Sequence, residues 1–302
     1  MSPDASRVLL PGAWAHRYVS ANGSRFHIAD TGGTGDLVLL LHAFPQCWWA
    51  WREQLTALRT AGYRAVAMDL RGYGASDKPP GGYDAPTLGA DVAAVIRSMG
   101  AAHAAVVGHG VGGWLAWALP YHHPEVTRAI AVIGSPHPRV YHAARFASPA
   151  RLAAHARLFE LHRPYLPDRF VADPGYVDRL LNRWSAPGGS WPDTAVAQEY
   201  AQAMAIPFAA HCALDGFRWL LAAPMRVDGR RYLASLRGRV EVPVLAVHGA
   251  LDPLFPVEGA RRSERFTGAG FRFEAVPGVG HFVPEEAPEA TTALLVNWLA
   301  TL

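Results

Sequence analysis

A buried strand, a tight turn and a helix can together present one side chain as a nucleophile. Residues 104–117, Ala-Ala-Val-Val-Gly-His-Gly-Val-Gly-Gly-Trp-Leu-Ala-Trp, have that layout. The junction is of the G-x-S-x-G type. Gly108 and Gly112 flank the position of the reactive residue, and that position is Gly110, which has no side chain. Two more chemistry-bearing residues follow strand-like runs. Asp252, in His248-Gly249-Ala250-Leu251-Asp252-Pro253, comes just after the run 244–247. A carboxylate just past a strand's C-terminal end in an α/β sheet points into the ligand crevice. An Asp-Pro pair alone is an ordinary turn signal, so its position carries the weight. His281, in Pro277-Gly278-Val279-Gly280-His281-Phe282, lies between the last strand-like run and a terminal helix.

Positioning these residues requires strands whose connecting turns gather on one side. Short β-rich runs are expected at residues 25–30, 37–41, 64–68, 103–107 and 129–133, and again at 242–248 and 271–276. The runs 37–41 and 129–133 are continuously apolar, as strands covered on both faces must be. Helical patterns at 48–60, 85–99 and 111–122 lie between the early runs, and a terminal helix is expected over 284–299. This alternation predicts an α/β fold with a mostly parallel, doubly wound sheet. It stops near residue 138. From there to 239 several helix-like pieces are punctuated by prolines and by Pro187-Gly188-Gly189, with Trp184, Trp191 and Trp219 among them. The expected organisation is a core in two parts, residues 1–138 and 239–302, with an inserted helical cap over 139–238.

Gly108-x-Gly110-x-x-Gly113 also satisfies a dinucleotide-binding pattern. That pattern belongs on the first strand of a βαβ unit, with an acidic residue about 20 positions further on to hold the ribose. Here earlier strands precede it, and the run 129–133 ends in Gly134-Ser135-Pro136-His137 without an acid. A nucleotide cofactor is therefore not expected.

Two further stretches, followed in this order by those of Asp252 and His281, resemble the α/β-hydrolase superfamily and its epoxide-hydrolase-like branch with a helical cap. His42-Ala43-Phe44-Pro45-Gln46 looks like the HG-x-P turn, with Ala43 in place of the usual Gly. The resemblance implies an oxyanion hole formed by the N–H groups of Phe44 and Val111. Asp69-Leu70-Arg71-Gly72-Tyr73-Gly74-Ala75-Ser76 is similar to the family's D-x-R-G-x-G-x-S segment, where Asp69 and Arg71 would have an architectural role. The last two stretches imply that Asp252 is the acid and His281 the base of a catalytic triad whose nucleophile position is Gly110. Epoxide hydrolases of this type protonate the opening oxirane oxygen with cap tyrosines. Leu214-Asp215-Gly216-Phe217-Arg218-Trp219 resembles one such segment, but Phe217 has no O–H to donate. The other tyrosine aligns with Phe159 or Tyr165. Haloalkane dehalogenation is a poorer match, because the Trp expected after the nucleophile is Val111 here. Substrate contacts are expected from Trp48, Phe159, Phe217, Trp219 and Phe282, enclosing a small, largely apolar molecule between sheet and cap.

The bulk composition fits this picture. The 302 residues are half hydrophobic, enough to bury a substantial core. The net charge of +3 comes from scattered arginines and not from a dense basic run, so no nucleic-acid partner is expected. Cys47 and Cys212 are far apart and lack ligand spacing, which suggests free thiols in a reducing cytosol. The first residues lack the layout of a signal peptide, and no apolar run approaches the ~20 residues of a membrane span. A cytoplasmic monomer or homodimer is expected, without metal or organic cofactor. Three readings of Gly110 stay open: a native enzyme using His281 and Asp252 as a general-base dyad, a non-catalytic binder, or an altered hydrolase that otherwise carries Asp or Ser there.

Overall fold

The computed structural model describes residues 4–144, 158, 161 and 166–302. Its eight strands are β1 Ala15–Ala21, β2 Ser24–Asp30, β3 Leu37–Leu41, β4 Arg64–Met68, β5 Ala104–His109, β6 Thr127–Ile133, β7 Val244–Gly249 and β8 Phe271–Val276. They form one sheet in the order β1-β2-β4-β3-β5-β6-β7-β8. The β1–β2 and β2–β4 pairs are antiparallel, and every later pair is parallel. The apolar runs explain the centre. Every residue of β3, β5 and β7 is buried, because helices cover both faces of a parallel sheet.

Strand β1 is not among the runs expected from the sequence. It is mostly exposed at the sheet edge, so no apolar run marks it. It is joined to β2 by Asn22-Gly23, both at positive φ, as a two-residue hairpin turn needs. The helix expected at 48–60 is a 3₁₀ turn, Trp48–Trp51, running into α1, Arg52–Thr60. Helix α2, Ala85–Ser98, starts where the Asp84 side chain accepts from Thr87 N–H. Helix α3 spans Val111–His122. The expected terminal helix is two pieces, Val283–Glu286 and Pro288–Leu299. The break falls at Ala287, which Pro288 pushes out of helical conformation.

Between β6 and β7 lie helices Pro138–Ala144, Leu166–Phe170, Pro174–Trp184, Thr194–Ala205, Ala209–Ala222 and Val227–Ser235, with no strand among the described residues. Asp173 and Asp193 cap two of them through their side chains. This helical insert lies over the C-terminal ends of the strands. The parallel registers Leu41↔Gly108, Gly108↔Val132 and Gly249↔Val276 bring the ends of β3, β5, β6, β7 and β8 to one edge. The turns that follow those strands build the candidate site.

Candidate active site

Gly110 stands at the N-terminus of α3 with φ 54° and ψ −116°. Its backbone is held on three sides. Gly110 N–H donates to Ile133 O at 3.1 Å, and Gly110 O accepts from Trp114 N–H at 3.1 Å and from the Ser135 hydroxyl at 2.8 Å. Gly112 permits the close packing of α3 on β3, since a Cβ there would lie 2.5 Å from Leu41 O. A Cβ built on Gly110 would lie 3.5 Å from His281 Nε2, so the imidazole faces the space where a nucleophile's side chain would be. The same Cβ would lie 2.7 Å from the methyl of Ala43.

His281 and Asp252 come together as the sequence resemblance implied. His281 Nδ1 lies 2.9 Å from Asp252 Oδ2, and both side chains are buried. The other carboxylate oxygen, Oδ1, accepts from Leu254 N–H at 2.8 Å and Phe255 N–H at 3.1 Å. Burial pushes the Asp252 carboxyl up. The His281 charge and hydrogen bond, with His248 and the Leu254 N–H, outweigh that and hold it below the ordinary value. With Asp252 ionised, His281 keeps its proton on Nδ1 and leaves Nε2 as a lone pair toward Gly110. Nε2 has no hydrogen-bond partner among the described residues.

The backbone of His281 is fixed as well. Its N–H donates to Trp184 O at 2.9 Å, and its O accepts from His109 Nε2 at 2.9 Å. Burial pushes His109 well below the ordinary imidazole value, and the neighbouring His281 lowers it further. His109 is therefore a neutral strut. Its Nδ1 lies 3.1 Å from Gln46 Oε1, and Gln46 in turn reaches Glu285, where Tyr200 of the insert and Arg52 also converge. Burial pushes the Glu285 carboxyl up despite the Arg52 charge. Nothing in the spacing of His109, Gln46 and Glu285 pointed to this network. Only the long-range fold brings Gln46 and Glu285 within reach.

The N–H groups of Phe44 and Val111 have no hydrogen-bond partner among the described residues, so both are free to receive a negatively charged oxygen. Around them Ala43, Phe44, Gly110, Val111, Trp114, Leu158, Trp184, Phe217, Leu254, Phe255 and His281 line a cavity of about 10 Å³, room for one water. Phe217 lines it and stacks on Phe44, ring centroids 5.2 Å apart.

Other residues expected at the substrate are placed elsewhere. Trp48 is fully buried on the far side, its Nε1 donating to Val8 O and its ring against Trp14, His16 and His27. Trp219 donates to Asp228 and packs on Tyr232, at an open cleft of about 320 Å³ that Gly81 and Arg226 also line. Phe282 lies behind His281 against Trp184 and Trp191. Each is an aromatic side chain used for packing. Phe159 and Tyr165 lie outside the described residues. Trp114, Leu254 and Phe255, by contrast, line the cavity without having been expected there. Asp69 organises its loop by accepting from the N–H groups of Trp48 and Ala75, whereas Arg71 pairs with Asp91.

Residues 36–288 match the family described as alpha/beta hydrolase fold, and the chain belongs to that family. Within it the chain is similar to epoxide hydrolases. It is 28% identical to human epoxide hydrolase 4 over 299 residues, covering 96% of this chain and 80% of that one. It is 33% identical to epoxide hydrolase B of Mycobacterium tuberculosis over 262 residues, covering 83% and 66% of the two chains. The fold superposes on the structure of epoxide hydrolase A from Mycobacterium thermoresistibile with a TM-score of 0.80, at 24% identity, covering 95% of this chain and 98% of that one. No helix among the described residues is long and apolar enough to cross a membrane.

Proposed function

We propose that this epoxide-hydrolase-like α/β-hydrolase works without a covalent intermediate, with His281 and Asp252 as a general-base dyad. The observation that carries this reading is the free Nε2 of His281 facing Gly110 beside room for one water. In the proposed step a water on Nε2 gives up a proton to the imidazole as its oxygen bonds to the substrate carbon. Asp252 stabilises the imidazolium that forms. The Phe44 and Val111 N–H groups receive the negative charge that develops on the substrate oxygen, and as that charge returns to the carbonyl the bond to the leaving oxygen breaks and that oxygen takes the proton back from His281. The same base could instead take a proton from a carbon beside that oxygen.

The substrate class follows from the lining. Apart from the Trp184 and Trp114 indole N–H groups, the backbone donors and His281, the described lining is apolar, and no ionised side chain among the described residues borders the cavity. A small, neutral molecule with one acceptor oxygen fits this surface. A carbonyl is favoured over an oxirane, because Phe217 offers no proton to an opening ring. A molecule larger than water has to part the Phe44–Phe217 ring pair, so residues 139–238 would act as a movable cap over the core.

Turnover of small neutral lactones, esters and epoxides in H₂¹⁸O tests the reading. Hydrolysis by the chain should place ¹⁸O in the product and never in the protein. The rate should fall about 10²–10⁴-fold in His281→Ala. Full activity in His281→Ala would exclude His281 as the base. Binding of these molecules without turnover, unchanged in His281→Ala, would instead support a non-catalytic binder.

A further inference from the structure

We propose that Ala43 and Gly110 are a matched pair. The Ala43 methyl fills space that any side chain at 110 requires, so a covalent nucleophile is recovered only when both positions change. A Cβ at 110 would sit 2.7 Å from the Ala43 Cβ and 3.5 Å from its Cα. A methyl carbon has no rotamer by which to leave, so relief would have to come from the backbone.

Neither backbone is free to retreat. Ala43 is buried, and its carbonyl is bound by Gln46 N–H at 3.0 Å and contacted by His42 Nδ1 at 2.8 Å. Gly110 is fixed by Ile133, Trp114 and Ser135. His281 is not the obstacle, since 3.5 Å to its Nε2 is an ordinary contact that suits a hydroxyl one bond further out. The positive φ of Gly110 strains any L-residue there, but that strain is the same whether residue 43 is Ala or Gly. A double-mutant cycle therefore separates the contact from the strain.

This inference is independent of the role of His281 in the native chain, because the stability of the variants reads the pair without any substrate. The first cycle uses Gly110→Ala, which adds the Cβ and nothing else, with and without Ala43→Gly. Gly110→Ala should lower the melting temperature, and Ala43→Gly should recover part of the loss. If the losses are additive, or if the double variant is no more stable than Gly110→Ala, the pairing is wrong.

The second cycle uses Gly110→Ser with p-nitrophenyl acetate. The introduced hydroxyl oxygen bonds to the acetyl carbon, its proton passes to His281 Nε2, and the bond to p-nitrophenolate breaks. His281 then loses that proton to solvent; a water deprotonated by the free Nε2 bonds to the acetyl carbon, the ester bond to the introduced oxygen breaks as that oxygen takes the proton back, and acetate leaves. The burst of p-nitrophenolate and the acetyl adduct on the intact protein should be roughly tenfold or more faster with Ala43→Gly than without it. An equal burst from Gly110→Ser alone would overturn the proposal.

Discussion

Two buried His–Asp pairs in this molecule make nearly the same bond and do different things. His281 Nδ1 lies 2.9 Å from Asp252, and His27 Nδ1 lies 2.8 Å from Asp69. The difference is at the opposite ring nitrogen. His27 Nε2 meets His16 Nδ1 at 2.9 Å, and His16 Nε2 meets Leu10 O at 2.8 Å, so each ring nitrogen of that chain has a protein partner. Trp48 packs across it. His281 Nε2 instead faces the cavity beside Gly110. A carboxylate holds the imidazole by Nδ1 in both places, but only the open ring has anything to deprotonate at Nε2. The closed pair anchors the N-terminal segment to the sheet.

The sharpest way to break this comparison is to remove each imidazole in turn. His281→Ala should abolish most turnover while leaving the fold, because Asp252 keeps the Leu254 and Phe255 N–H groups and His248 nearby. His27→Ala should do the reverse, destabilising the chain by about 2–5 kcal/mol, since it leaves a cavity beside Trp48 and takes a hydrogen-bond partner from both Asp69 and His16. Urea unfolding beside the lactone and ester assays measures both. A loss of turnover in a fully folded His27→Ala protein would contradict the division of labour.

The next test uses acid. Burial pushes the Asp69 carboxyl up, but the His27 hydrogen bond and charge, with His42 and the Trp48 N–H, outweigh it and hold the group at about 2 against an ordinary 3.8. A carboxyl depressed in the folded state adds stability above its unfolded value and loses it as pH falls through the folded one. Asp69 should therefore contribute about 2 kcal/mol at neutral pH, fading between about pH 4 and pH 2. Asp252 is depressed too and acts in the same direction. Unfolding free energies measured across that window should fall less steeply in Asp69→Asn than in the parent. Parallel curves would show that Asp69 is not the group responsible.

The same contrast shows what a sequence can reveal. The central strands were legible because burial on both faces demands unbroken apolar runs such as 37–41, and the stations after β3, β5, β7 and β8 were legible because they lie at strand ends. Strand β1 was not, since an exposed edge strand imposes no such run. The aromatic residues were the least legible. Trp48, Trp219 and Phe282 have the composition of a pocket, yet their packing partners keep all three out of the cavity beside Gly110, while Trp114 and Phe255 line it. The consequence of Ala43 was also hidden: as a letter it is a mild departure from glycine, and its meaning depends on a 2.7 Å approach to a residue 67 positions away that the fold alone creates.

The smallest expected effect sharpens the comparison most. His16→Phe should leave the His27–Asp69 bond in place while taking away the partner of His27 Nε2. The loss should be about 0.5–1.5 kcal/mol, the range for one hydrogen bond, since an aromatic ring still packs against Trp48. Urea unfolding would register that change. If a free imidazole nitrogen on a His–Asp pair were enough for catalysis, this variant should gain base activity toward p-nitrophenyl acetate that survives in His281→Ala. The expected result is no such gain, because opening the nitrogen supplies neither a cavity nor N–H donors for the developing charge. Activity appearing in the His16→Phe/His281→Ala double variant would mean that the dyad alone, and not its surroundings at Gly110, makes the base.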